Sequence, residues 1–128
     1  MTENEILSYI TEYGKKAKKA ASVLATAAVE KKNQALANAA KLLIEKTQYI
    51  IAENTKDIEM AAANGMSVSM QDRLRLTPAR IEGMAEGLTQ LISLEDPIGA
   101  IIEGYKRPNG LEIIKKRVPL GVIGIIYE

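Results

Sequence analysis

An apolar run without alternation, residues 120–127, constrains this chain most strongly. A half-buried strand alternates apolar and polar side chains, whereas a continuous apolar run is typical of a parallel strand covered on both faces. Such a strand needs neighbours reached through crossover helices, and the sequence stops at Glu128 before any could follow. We therefore expect the chain to be the opening portion of a larger protein, with residues 120–128 as the first strand of its sheet.

The region up to residue 94 has the apolar period of α-helices. Between residues 3 and 24 apolar side chains recur in steps of three and four, which predicts one amphipathic helix. A second helix is expected to begin with Thr26 as its N-cap and to break near Thr47 or Asn54, because one average helix is shorter. The predicted buried stripes are Ile6, Ile10, Tyr13, Ala17, Ala20 and Leu24 in the first helix, and Val29, Leu36, Ala39, Ala40, Leu43, Ile44, Ile50 and Ile51 in the second.

Two further signals delimit the helical region. Asn64-Gly65 is a helix stop, because Gly adopts the left-handed cap conformation without cost. Residues 66–76 are then expected to be a connector with one short turn. Thr77-Pro78 starts the next helix, with Thr as the cap and Pro at the first helical position. Its predicted buried stripe is Ile81, Met84, Leu88, Leu91 and Ile92.

The period changes after Gly99. Residues 101–107 and 111–118 are interpreted as two strands around a turn in which Pro108 and Gly110 suit type I geometry. The sequence therefore predicts one β-hairpin between the helical region and the final apolar run.

Composition excludes several kinds of chemistry. The chain contains no Cys and no His, so it offers no thiolate nucleophile, no disulfide and no imidazole base or ligand. We expect no metal site. The net charge is only +1, and the lysines at positions 15, 16, 18 and 19 are interpreted as a solvated helix face. We expect no nucleic-acid or membrane partner and, from the acidic start without a secretory signal, a cytoplasmic location.

Five sequence strings occur in order and carry a family resemblance. They are Asn54-Thr-Lys-Asp57, Gly65, Asp72-Arg-Leu-Arg-Leu-Thr-Pro-Ala-Arg-Ile81, Asp96-Pro-Ile-Gly99 with the hairpin after it, and Arg117-Val-Pro-Leu-Gly-Val-Ile-Gly-Ile-Ile-Tyr-Glu128. Together they resemble the N-terminal portion of the γ-glutamyl phosphate reductase (glutamate-5-semialdehyde dehydrogenase) family, in the aldehyde dehydrogenase superfamily.

The resemblance implies an α/β, aldehyde dehydrogenase-like fold for the parent protein. This chain is then mainly α-helical, with one β-hairpin and the first strand of a Rossmann-like parallel sheet. Residues 1–100 become an N-terminal helical region packing on the cofactor domain. Residues 101–119 become the hairpin of an oligomerisation flap, and residues 120–128 the first strand of the nucleotide-binding domain. A homo-oligomer through the 101–118 hairpin is expected.

The activity implied is an oxidoreductase of proline biosynthesis. With NADPH it converts L-glutamyl 5-phosphate to L-glutamate 5-semialdehyde and phosphate, through a cysteine thiolate that displaces phosphate and a thioester that accepts hydride. This chain has no Cys, so we expect none of its residues to be catalytic and the chain alone to be inactive. The sequence does not separate NADPH from NADH.

The cofactor-binding residues implied by position are Ile126, Tyr127 and Glu128, at the carboxyl end of the predicted strand, where open α/β sheets bind ligands. For Ile126 a place in the sheet core is an equally open reading. Two alternatives to the whole assignment stay open as well. One is another aldehyde dehydrogenase superfamily member, acting on a free aldehyde or an acyl-coenzyme A. The other is a non-enzymatic helical module whose hairpin recruits a partner.

Overall fold

The structure is a computed structural model that describes residues 2–126. Its helices are α1 (Glu3–Leu24), α2 (Val29–Glu45), α3 (Thr47–Ala63), α4 (Val68–Leu74) and α5 (Pro78–Ile92), and its strands are β1 (Ile101–Lys106) and β2 (Glu112–Lys116). The predicted mainly helical architecture with one hairpin is confirmed over this range. The chain divides into two compact units, residues 30–95 and residues 2–29 with 96–126. Among residues 2–126, the helices lack the combination of length and apolar character that a membrane span requires.

The core of residues 30–95 is centred on Ile81, whose side chain is 0% exposed. The other buried apolar side chains of this unit are Ala40, Ile58, Ala61 and Ala85. Both α4 and α5 contact α3, so α3 is the central helix of the unit. Alanines at the contacts let helix backbones approach closely, which suits a sequence without Phe or Trp.

The buried face of α5 is displaced from the predicted stripe. Ile81 and Ala85 are buried, whereas Met84 and Leu91 are about half exposed. The prediction that Met84 and Leu91 are buried is therefore wrong. The reason is that the small Ala85, rather than the longer Met84, occupies the contact side one turn after Ile81. In the second predicted stripe, Val29, Ala39 and Ile44 are likewise exposed.

Most helix boundaries agree with the local signals. The predicted break near Thr47 is confirmed, because α2 ends at Glu45 and α3 begins at Thr47. Gly65 has φ +76°, as expected for a left-handed cap, and the Thr77 hydroxyl accepts a hydrogen bond from the Arg80 amide at 3.2 Å. The prediction of Thr26 as an N-cap is wrong. Its hydroxyl donates to the Val23 carbonyl at 3.4 Å, so it bonds the last turn of α1 instead.

Helix α1 begins with a capping box. The Thr2 side chain accepts from the Glu5 amide, and the Glu5 carboxylate accepts from the Thr2 amide. No side chain of α1 is buried in the described structure. The predicted buried stripe of this helix is therefore only half-buried at Ala17 and exposed at its other positions, Ile6, Ile10, Tyr13, Ala20 and Leu24.

The hairpin has the predicted turn and an antiparallel register. Arg107 donates its amide to the Leu111 carbonyl, Gly110 donates to the Arg107 carbonyl, and Gly110 has φ +86°. Tyr105 pairs with Ile113, and the register shifts between residues 101 and 103, where β1 bulges. Apart from the half-buried Ile113, the strand residues are exposed.

Residues 117–126 form no strand in the structure. A parallel strand exists only through its hydrogen-bonded neighbours, and among the described residues only β1 and β2 pair. The apolar side chains of Val122, Ile123 and Ile125 are accordingly exposed. The assignment of 120–128 as the first strand of a parallel sheet thus stays a prediction.

Candidate functional site

An open cavity of about 550 Å³ lies between α1 and residues 119–122. The helix contributes the small residues Gly14 and Ala21, two turns apart on one face, and Ala25 follows at its C-cap. Gly121, with φ +93°, bends the opposite wall. This cavity is where the predicted cofactor-domain segment meets a helix within one compact unit.

The polar groups lining this cavity are few. The Lys18 side chain is the charged one, and the Ser22 hydroxyl donates to the Lys18 carbonyl at 3.2 Å. That hydroxyl is a poor nucleophile, because no base lies in the wall to accept its proton. A mainly apolar recess with one ammonium group is suited to packing or binding rather than to bond-making chemistry.

Of the three predicted cofactor-binding residues, the structure describes Ile126 alone. The Ile126 side chain is 93% exposed and does not line the cavity beside α1. Tyr127 and Glu128 lie outside the described residues. The prediction for all three depended on neighbouring strands, so it remains a prediction.

Sequence reasoning missed the role of Asn54, whose side chain is only 7% exposed. From α3, its Nδ2 donates to the Leu74 carbonyl at 3.0 Å and its Oδ1 accepts from the Leu76 amide at 2.7 Å. One amide thus holds the backbone on both sides of Arg75. The available signal was a polar residue four positions before Ile58, on the buried side of an otherwise apolar helix face.

Arg80 holds the same connector from α5. Its guanidinium donates to the Asp72 carbonyl and, at 2.5 Å, to the Arg75 carbonyl. It also pairs with the Asp72 carboxylate at 3.1 Å. Within the string from Asp72 to Ile81 that carries the family resemblance, the side chains of Asn54 and Arg80 thus hold the backbone of residues 72–76.

Two tyrosines on α1 form the remaining polar cluster. The Tyr9 and Tyr13 rings lie 4.4 Å apart between centroids, and the Lys16 ammonium sits 5.4 Å from the Tyr13 ring. A side-chain hydrogen bond with Tyr13, with a smaller effect of desolvation, raises the pKa of Tyr9. Tyr9 therefore stays protonated at neutral pH and is no candidate for a general base.

An apolar groove of about 640 Å³ marks the junction of α2 and α3. It is lined by Ala39, Leu42, Leu43, Lys46, Tyr49 and Ile50. Among residues 2–126 there is no cluster of three or more acidic side chains that could hold a metal ion. The described part of the chain thus offers surfaces for packing and binding, and no assembled catalytic group.

No protein-family model matches the chain. Among curated proteins it is 55% identical over 115 residues to the γ-glutamyl phosphate reductase of Clostridium botulinum, covering 90% of this chain and 28% of that protein. The reductase of Bacillus anthracis is 50% identical over 125 residues, covering 98% of this chain and 29% of that protein. The chain thus spans less than a third of the length of these relatives.

A solved structure agrees with the sequence comparison. The crystal structure of γ-glutamyl phosphate reductase from Thermotoga maritima matches with a TM-score of 0.81 and 37% identity, covering 85% of this chain and 26% of that one. The two chains therefore share the fold of this region and also more than a third of the aligned residues. In sequence and in structure, the chain resembles the N-terminal portion of γ-glutamyl phosphate reductases.

Proposed function

We propose that this chain forms the N-terminal part of an NADP(H)-dependent γ-glutamyl phosphate reductase, which converts L-glutamyl 5-phosphate to L-glutamate 5-semialdehyde and phosphate in proline biosynthesis. The observation that carries the proposal is the 55% identity to a relative of that name over 90% of the chain. The whole protein is proposed to have the α/β fold of aldehyde dehydrogenases. Its location is proposed to be cytoplasmic.

The share of this chain in the reaction is structural. It contains no Cys, so a thiolate that displaces phosphate must come from elsewhere in the enzyme. The described residues alone do not form a dinucleotide site, because Ile126 is exposed and no helix follows the glycines at 121 and 124 as far as residue 126. We assign no step of hydride transfer to them. The proposed contribution is one border of the cofactor groove, from Ile126, Tyr127 and Glu128.

The hairpin is proposed to join copies of the enzyme. Its outer strand edges have no partner among the described residues, because the sheet contains β1 and β2 alone. Ile101, Ile102 and Ile114 expose more than half of their side-chain surface. Open edges with apolar side chains are suited to extension by a strand from another subunit.

A chimera tests the proposed function. This chain replaces the matching segment of the Clostridium botulinum reductase, and the chimera is expressed in cells that need proline because they lack the enzyme. We expect growth without proline, and NADPH oxidation with in-situ glutamyl phosphate within about tenfold of the parental rate, or about 1.4 kcal/mol in barrier. The 128-residue chain alone should give no turnover, because it has no thiol.

The matched control carries Ile81→Asp in the chimera. A charge at this fully buried position should prevent folding of the segment and abolish growth. A chimera that has the parental melting temperature but oxidises no NADPH with glutamyl phosphate would overturn the proposal.

A further inference from the structure

Helix α4 has little apolar anchoring. None of its side chains is buried, and Val68 at its start is 82% exposed. At seven residues it is far shorter than the length at which an isolated helix is stable in water. Something other than a buried apolar face must keep it in place.

Polar side chains hold α4 and the residues around it. Asn54 on α3 bonds the Leu74 carbonyl and the Leu76 amide, and Arg80 on α5 bonds the carbonyls of Asp72 and Arg75. Within the segment, the Gln71 side chain donates to the Met66 carbonyl at 2.8 Å. All but the Asp72 carboxylate pair are contacts between side chains and backbone, so they fix the course of the chain rather than its side chains.

We propose that residues 66–76 form a strap that opens and closes as one unit while α3 and α5 stay folded, with Asn54 as its latch. The strap ends at Gly65, which has φ +76°, and at Thr77, the cap of α5, so each neighbouring helix has its own terminus. Segments with few buried apolar contacts are the ones that open locally in native proteins. Asn54 contributes most to holding the strap closed, because its two hydrogen bonds are partly buried. Without its side chain, the Leu74 carbonyl and the Leu76 amide would be left without these partners.

Hydrogen exchange on the full 128-residue chain tests the strap. Amides of residues 70–76 should exchange through an opening that urea barely affects, whereas amides near Ile58 and Ile81 should exchange through a larger, urea-dependent opening. Asn54→Ala should speed exchange in the strap about tenfold to hundredfold, the effect of losing two hydrogen bonds. Exchange near Ile58 and Ile81 should change by a smaller factor.

A second variant avoids the risk that Asn54→Ala unfolds the protein. Arg80 is exposed, so Arg80→Ala should fold, and it should speed exchange in the same residues by about threefold to tenfold. Thr55→Ala is the control, because the Thr55 hydroxyl bonds only the Ile51 carbonyl of its own helix. The strap is refuted if Arg80→Ala leaves residues 70–76 unchanged. It is equally refuted if strap and helix amides accelerate by the same factor.

Discussion

Ile81 and Met84 lie three residues apart on α5, and we expect them to contribute very differently to the stability of the fold. Ile81 is fully buried, whereas Met84 is 48% exposed. We expect Ile81→Ala to lower the free energy of unfolding by about 2–5 kcal/mol, because it removes buried methyl groups and leaves a cavity. Urea unfolding followed by circular dichroism measures the loss.

Met84→Ala is the matched control for Ile81→Ala. It shortens a side chain on the same helix by a similar volume, but at a surface position, so its effect should stay within about 0.5 kcal/mol. Equal losses for the two variants would mean that the face of α5 is misassigned.

The burial and the long-range contacts of single side chains were the properties hardest to predict from the sequence. The sequence predicts the helical period of α5 correctly, but it places Met84 and Leu91 in the buried stripe, because large apolar side chains contribute most to such a pattern. The structure instead buries Ala85. The hydrogen bonds of Asn54 reach Leu74 and Leu76, which lie 20 and 22 positions further along the chain. Local periodicity carries no information on a contact of that separation.

At the scale of elements, Thr77 and Thr26 differ in whether they act as an N-cap: Thr77 caps α5, and Thr26 caps no helix start. Thr77→Ala should cost about 1 kcal/mol, because its hydroxyl accepts from the Arg80 amide and satisfies the start of α5. Thr26→Ala should cost less than about 0.5 kcal/mol, because that hydroxyl only donates at 3.4 Å to the carbonyl of Val23. Thermal melts of the two variants provide the measurement, and a larger loss for Thr26 would restore it as a cap.

Helix and strand positions were largely predictable, because local chemistry determines them. Thr77-Pro78 and Asn64-Gly65 have the backbone preferences that their positions need, and α5 and α3 begin and end there. The prediction of Thr26 as an N-cap failed because a threonine hydroxyl can also donate to carbonyls at the end of a helix. The hairpin turn was predictable from Pro108 and Gly110.

At the scale of the whole molecule, we expect the exposed apolar residues 122–126 to determine whether the chain self-associates. Their side chains at Val122, Ile123 and Ile125 are more than half exposed. We expect the 128-residue chain to self-associate through them, and deletion of residues 122–128 to raise solubility with helical content nearly unchanged. Sedimentation velocity and far-ultraviolet circular dichroism measure the two quantities.

A variant of unchanged length serves as the control for that deletion. Ile123→Lys combined with Ile125→Lys should reduce association as the deletion does, because charge opposes pairing between exposed strands. If the parent chain is monomeric at high concentration, the segment is satisfied within the chain and the prediction is wrong.

The candidate site belongs to this largest scale, which explains why the sequence predicted it least well. A cofactor groove at the end of a strand requires the neighbouring strands, and Ile126 has none among the described residues. The cavity between α1 and residues 119–122 involves side chains about a hundred positions apart. The family resemblance indicated an activity, but the local pattern could not locate that recess.

The side chain of Asn54 does for residues 74–76 what an adjacent strand would do. In a parallel sheet, one residue donates to the carbonyl before its neighbour and accepts from the amide after it. Asn54 makes this pair of bonds around Arg75, whose backbone is extended. A single amide thereby occupies the edge of a short extended segment. The Leu74 carbonyl and the Leu76 amide are therefore not open to pairing with a strand of another molecule.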